Sequence, residues 1–319
     1  MNIHIIQLPH TFPYLVNLSL PFKKYGFDTI TLVANGFDIE QIKELTEFTR
    51  KYDYIKILDI PTKRILSHGQ ALNYAFENSS DELFCFANHD IFPTQSLKKE
   101  IKEALEYNDV VCLGNRPENT IANYKGFAAS ATQTQSGIPL VTSFFSIYKR
   151  SVVELAKTLH KVGFEQYFRK SQIPKSLKYQ QDIEELREPF LIDTCKAQSL
   201  ALFQLNKSIF HLGSKKVCHL GGLCGAINRY ANNGFPTVKD FTITKMPTID
   251  ELESFYLNNQ KRHPKVLELK RAISDFSLQL LIALQQGNEQ PNFKCNDSYL
   301  EKNISKIVMD VTKNINQKV

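Results

Sequence analysis

The chain of 319 residues holds only 13 glycines and 13 prolines, too few for a collagen-like or low-complexity protein. Its six cysteines show no CxxC spacing, and Cys85 and Cys112 fall within apolar, strand-like runs. Nothing in this suggests a disulfide scaffold, and free, reduced, partly buried thiols are expected. No apolar run approaches the roughly 20 residues that span a bilayer. The longest, at 276–284, is interrupted by Ser277 and Gln279. The opening Met1-Asn2-Ile3-His4-Ile5-Ile6-Gln7 has neither a charged n-region nor a long apolar h-region. No secretory signal is read there, and a cytoplasmic location is expected. A concentrated stripe of positive charge is also lacking. The net charge of +6 is scattered over pairs such as Lys98-Lys99, Lys149-Arg150, Lys215-Lys216 and Lys261-Arg262. This speaks against nucleic acid as a partner. It suits an anionic small molecule, or loose attachment to the acidic inner face of a membrane.

What is present is a composition typical of globular proteins, 42% hydrophobic and 23% charged. The first half alternates short apolar runs, at 3–8, 29–34, 55–60, 83–87 and 110–113, with helical patterns. Asp38-Ile39-Glu40-Gln41 and Ser67-His68-Gly69-Gln70 read as capping boxes that open two of the helices. Leu97, Ile101 and Leu105 mark a third. This alternation predicts an α/β fold with a mainly parallel sheet covered by helices on both faces. Periodicity disappears from 114 to 141, a length that suggests a binding segment or lid. A strand is expected at 142–148, a helix at 151–161, a helix reaching about 205 and a strand at 208–212. From about 247 the pattern turns helical, with Thr248-Ile249-Asp250-Glu251 as a further capping box. Residues 247–319 are therefore read as a helical appendage to a main domain of 1–246. It would pack on that domain, form a homodimer interface or lie on a membrane.

Ligands of open α/β sheets bind beyond the carboxyl ends of the parallel strands. The polar residues that follow each strand are Pro9-His10, Asn35-Gly36, Pro61-Thr62, Asn88-His89-Asp90 and Gly114-Asn115. The fourth group ends the wholly apolar run Leu83-Phe84-Cys85-Phe86-Ala87. A carboxylate there could reach a hard cation such as Mg²⁺ or Mn²⁺, which takes one or two carboxylates plus phosphate oxygens. Equally, Asp90 could simply end the strand.

Gly69, Ala71-Leu72-Asn73, the strand at 83–87, Asn88-His89-Asp90 and Ile91-Phe92-Pro93 stand in a telling order. That segment resembles the core signature of family 2-type glycosyltransferases of bacterial type with the GT-A fold, the nucleotide-diphospho-sugar transferase fold. There a Gly-containing turn and an Ala-x-Asn-like helix precede an apolar strand that runs into a DxD motif. The resemblance implies a nucleotide-binding half at 1–115 and an acceptor half at 116–246. It makes Asp90 the metal ligand, while Asn88, in place of the first Asp, keeps only a hydroxyl contact. Phe190-Leu191-Ile192-Asp193-Thr194-Cys195 followed by Cys218-His219-Leu220-Gly221-Gly222 resembles a second arrangement, apolar-Asp-Thr-Gly and then His-x-Gly-Gly, with Cys195 in place of the glycine. It implies that His219 completes the metal site. Gly221 and Gly222 would let the backbone approach the diphosphate.

The implied activity is transfer of a sugar from a nucleotide-diphospho-sugar to a hydroxyl of a glycan, lipid-linked or protein acceptor, in cell-surface glycan synthesis. If the reaction inverts the anomeric centre, a carboxylate must deprotonate the acceptor. Asp193 is the first choice and Asp182 the second, with an exposed helical face as the plain alternative for 182–185. Pro9, His10, Asn35, His68, Gly69, Asn73, Asn88 and His89 are the further donor-site residues. A zinc site from His211, Cys218, His219 and Cys224 has no common zinc spacing. No GxGxxG follows the first strand, which argues against a dinucleotide-binding enzyme. A nucleotidyltransferase would need a basic Gly-rich loop there, and none is present. The non-enzymatic alternative is a degenerate GT-A domain that binds glycans or nucleotides or acts as a scaffold.

Overall fold

The computed structural model describes residues 1–9, 16–93, 95–114, 132–167, 169–185, 192–213 and 216–219. The expected helical appendage, its boundary at 246, His10, Gly221 and Gly222 lie outside the described residues. In the first half, β1 (Asn2–Gln7), α1 (Pro21–Lys24), β2 (Thr29–Ala34), α2 (Ile39–Thr49) and β3 (Ile55–Asp59) follow one another. Next come α3 (His68–Glu77), β4 (Leu83–Asn88), the short β5 (Ile91–Pro93), α4 (Lys98–Tyr107) and β6 (Val110–Leu113). In the second half are β7 (Phe145–Lys149), α5 (Arg150–His160), α6 (Gln180–Glu185), α7 (Lys196–Gln204), β8 (Ile209–Leu212) and β9 (Val217–His219).

Seven strands form one sheet in the order β3-β2-β1-β4-β7-β6-β8. All neighbours are parallel except the two pairs that involve β7. The reversal has a simple cause. The chain leaves β6 at the carboxyl edge of the sheet and enters β7 from that same edge, where Asn88 N–H donates to Phe144 O at 2.8 Å. A connection that begins and ends at one edge must return antiparallel. The strand expected at 142–148 begins three residues later and ends one later, at Phe145–Lys149, and its direction could not be read from its pattern.

Alternation along each strand divides the core into two layers. Ile3, Ile5, Ile30, Leu32, Cys85 and Ala87 pack with Phe22, Leu45 and Ile101 of α1, α2 and α4. Ile6, Val33, Phe84 and Phe86 face the other way, against Leu72 and Phe76 of α3, Val153 of α5 and Leu200 of α7. The fold is thus a mixed α/β architecture, a mostly parallel sheet covered by helices on both faces, as the alternation predicts. Both capping signals operate. Asp38 accepts from Gln41 N–H, and Gln41 Oε1 from Asp38 N–H, each at 2.9 Å. Gln70 Oε1 accepts from the backbone N–H of Ser67 at 3.1 Å and from its hydroxyl at 3.0 Å.

Register decides where the site sits. Gln7 lies opposite Ala34, Ala34 opposite Asp59 and Ile6 opposite Asn88, so four strands end almost level. The polar residues that follow them share one edge.

Candidate functional site

Asp90 follows β4 in the tight turn that precedes β5, and it is buried at 3% exposure. Beside it, His89 folds back over β1, and its Nδ1–H donates to Ile6 O at 2.8 Å. A carbonyl only accepts, so in the neutral ring the lone pair resides on Nε2. A hydrogen bond of this kind to a backbone carbonyl is how proteins commonly orient a ligating imidazole. β5 pairs antiparallel with β9, and Ile91 lies opposite His219. The chain therefore brings position 219 beside the residue that follows Asp90, across more than 120 residues of sequence. Asn88 is half-buried, its peptide N–H held by Phe144 O.

His68 opens α3. Its Nε2 is sealed from solvent without a hydrogen-bond partner, and its ring stands edge-on to Phe86 at 6.3 Å. Burial lowers its pKa to about 4; the charge of Asp193 opposes the shift, His89 adds to it and Asp90 opposes it. His68 is thus neutral at pH 7, and it lies within electrostatic range of three of the expected site residues.

Asp193 reaches this place by a route other than the expected one. Among the described residues Ile192 makes an isolated bridge with Tyr167, outside the seven-stranded sheet. Asp193 stands in the turn before α7, not at the end of a sheet strand. Gln166 Nε2 donates to its Oδ1 at 3.0 Å, and the N–H of Thr194 donates to the same oxygen at 2.7 Å. Oδ2 carries no hydrogen bond among the described residues. Cys195, in place of the glycine of the resembled pattern, keeps the left-handed backbone that a glycine would take, with φ 67°. The thiol is fully buried, and burial raises its pKa to about 12.

Three of the expected donor contacts have structural partners. A Cβ on Gly69 would meet Phe164 O at 2.2 Å and Glu165 Cα at 2.8 Å, so the missing side chain lets α3 lie against that backbone. One turn later, Asn73 Oδ1 accepts from Phe164 N–H at 3.0 Å. Asn35, buried at the end of β2, donates from Nδ2 to Leu66 O at 3.0 Å and accepts from Leu66 N–H at 2.8 Å. Pro9 is buried just past β1. Asp182 accepts a hydrogen bond from Ser136 and ties α6 to the 134–138 turn. None of its described contacts is to His68, His89, Asp90 or Asp193.

The segment at 163–167 was not signalled by the sequence. It connects α3 to Asp193, through Asn73 to Phe164 at one end and Gln166 to Asp193 at the other. One glycine and two aromatics, Gly163, Phe164 and Tyr167, were the only available hint.

Among the described residues no three His, Cys, Asp or Glu side chains gather into a metal-binding group. His211, of the rival zinc set, donates from Nε2 to Leu140 O at 2.9 Å. A hard divalent ion needs fewer protein ligands, since phosphate oxygens and water complete its shell. The carboxylate of Asp90 fits that requirement.

No protein-family model matches this sequence, and no curated protein matches it. Solved structures do resemble the chain. TarS from S. aureus, residues 1–349, is 14% identical, with 99% of this chain and 80% of that one covered and a TM-score of 0.40. The mannosyltransferase PcManGT from Pyrobaculum calidifontis, in complex with GDP-Man and Mn²⁺, is 10% identical over 100% and 87% of the two chains, with a TM-score of 0.41. The galactosyltransferase LgtC, in complex with donor and acceptor sugar analogues, is 11% identical over 67% and 74%, with a TM-score of 0.40.

Proposed function

We propose that this chain is a GT-A-type glycosyltransferase that moves a sugar from a nucleotide-diphospho-sugar to a hydroxyl acceptor. What supports the reading is that Asp90 follows β4 at the carboxyl edge of the sheet and that Asp193, His89 and Asp90 all lie within electrostatic range of His68 at the start of α3. Asp90 and Asp193 are about a hundred residues apart in sequence, and Asp90 stands at the edge where ligands of parallel sheets bind. The order of motifs from Gly69 to Pro93 supports the same reading.

Asp90 would hold Mn²⁺ or Mg²⁺, with His219 as second ligand. When bound, the ion offsets the charge that develops on the leaving diphosphate. Asp193 takes the proton of the acceptor hydroxyl in an inverting transfer. Gln166 and the Thr194 N–H fix its Oδ1, which leaves Oδ2 for that proton. His68, neutral and sealed at Nε2, lines the site without adding charge. The acceptor, a glycan, a lipid-linked glycan or a protein of the cell surface, would meet the 114–141 segment and the region after 246. No helix of the described residues is long and apolar enough to cross a membrane. Attachment to the inner membrane face and homodimerisation through the C-terminal region belong to this proposal.

Asn88 favours one second reading, a GT-A domain that binds its ligand without turning it over. Donor hydrolysis and transfer with Mn²⁺ separate the two, measured for the wild type, Asp90→Ala and His219→Ala. Loss of at least ~100-fold in Asp90→Ala is expected. Nucleotide binding that needs no metal and survives Asp90→Ala unchanged would overturn the metal assignment.

A further inference from the structure

The loop between β3 and α3, Pro61-Thr62-Lys63-Arg64-Ile65-Leu66, is held at more points than a plain connector needs. The Asn35 amide clamps both the N–H and the carbonyl of Leu66. Gly36, with φ +80°, lies against Ile65 so closely that a Cβ would meet Ile65 Cγ1 at 2.6 Å and its N at 2.9 Å. Thr62 adds a local turn by accepting the N–H of Arg64 at 3.1 Å. Two adjacent cations, Lys63 and Arg64, are thereby presented on an ordered backbone. Both side chains are exposed, and neither has an ion pair or side-chain hydrogen bond among the described residues. The acids on the surface helices behave differently, since Glu40, Glu47, Glu77 and Glu100 each hold a lysine or arginine.

The loop leaves the carboxyl end of β3, three strand spacings or about 14 Å from the end of β4. It returns toward the site within a few residues, because His68 opens α3 two positions after Leu66. It therefore borders the carboxyl edge between the ends of β2 and β3 and the site at Asp90. An arginine offers a fork that matches phosphate oxygens, and a backbone ordered before binding reduces the ordering cost.

We propose that this loop is a cationic clamp for the diphosphate of the donor, with Lys63 and Arg64 as phosphate ligands and Asn35 as their positioning residue. The inference rests on the nucleotide-sugar reading above, and it gives Asn35 a task other than direct contact with the donor.

The test is calorimetric binding of UDP, GDP, ADP and dTDP, each with Mn²⁺ and over a range of salt concentrations, to the full chain and its variants. Arg64→Ala and Lys63→Ala should each weaken the bound diphosphate roughly ten-fold. The double variant should also flatten the dependence of affinity on salt. Asn35→Ala keeps both charges, so its affinity falls while the salt dependence stays as in the wild type. Binding of the matching nucleoside, measured by competition, should not change in Asn35→Ala. A fall there would make Asn35 a base contact and overturn its positioning role. If the wild type binds a diphosphate and the loop variants bind it equally well, the clamp is refuted and the nucleotide-sugar reading stands. If none of the four diphosphates binds the wild type, both fall.

Discussion

Replacement of Gly69 by alanine tests how α3 is docked. The added methyl would sit 2.2 Å from Phe164 O and 2.8 Å from Glu165 Cα, and both neighbours are backbone. No side chain can rotate away, so the helix and the 163–165 segment must separate by about 1 Å to reach an ordinary contact distance. That movement strains the bond from Phe164 N–H to Asn73 and loosens a ring packed against Phe76, Phe84, Phe86 and Tyr148 at 5.3–6.0 Å. Overpacking of this kind costs about 1–3 kcal/mol, and a weakened hydrogen bond about 1 kcal/mol more. Alanine regains under about 1 kcal/mol of helix propensity. A net loss of about 2 kcal/mol is expected, or a fall in Tm of about 4–8 °C. Gly213→Ala is the reference, because a Cβ there meets nothing within 4 Å. Its change should stay within about 0.5 kcal/mol. Urea unfolding followed by circular dichroism measures both. A Gly69→Ala variant as stable as Gly213→Ala would refute the close approach of α3 to Phe164, and with it the route that fixes Asp193.

Two further outcomes follow from the same site. The pKa of His68 is lowered from 6.5 to about 4, so the unfolded chain binds that proton more readily. Stability should therefore fall as pH drops from about 6.5 to about 4, by at most about 3 kcal/mol from this group. Urea titrations in EDTA at several pH values should show a shallower loss in His68→Gln than in the wild type, and equal slopes would remove His68 as the cause. Gln166→Ala takes one of two donors from Asp193 Oδ1. If Asp193 is the base, kcat should fall about ten-fold with the donor KM unchanged, whereas Asp193→Asn should cost about 10²–10⁴. A raised donor KM in Gln166→Ala, with kcat intact, would point to a binding role.

The alternation of apolar runs and capped helices was sufficient to specify an α/β sheet with covered faces. The reason is local: a strand buried on both sides must be apolar throughout, and Asp38 and Ser67 close their helix starts with residues three positions away. The place of Asp90 in the fold was legible for a similar reason, since Asn88-His89-Asp90 follow a run, 83–87, with no polar side chain. Tertiary structure alone decided the rest. The direction of β7 depends on which edge of the sheet the chain leaves, and no periodicity records that. Gly69, Asn73 and Asn35 read as ligand contacts in a linear motif, but each meets backbone that lies 30 or more residues away in sequence. Gln166 had no signal at all, since its importance comes only from reaching Asp193 across 27 residues. A motif marks where polar atoms gather, and only the fold determines which of them already have partners.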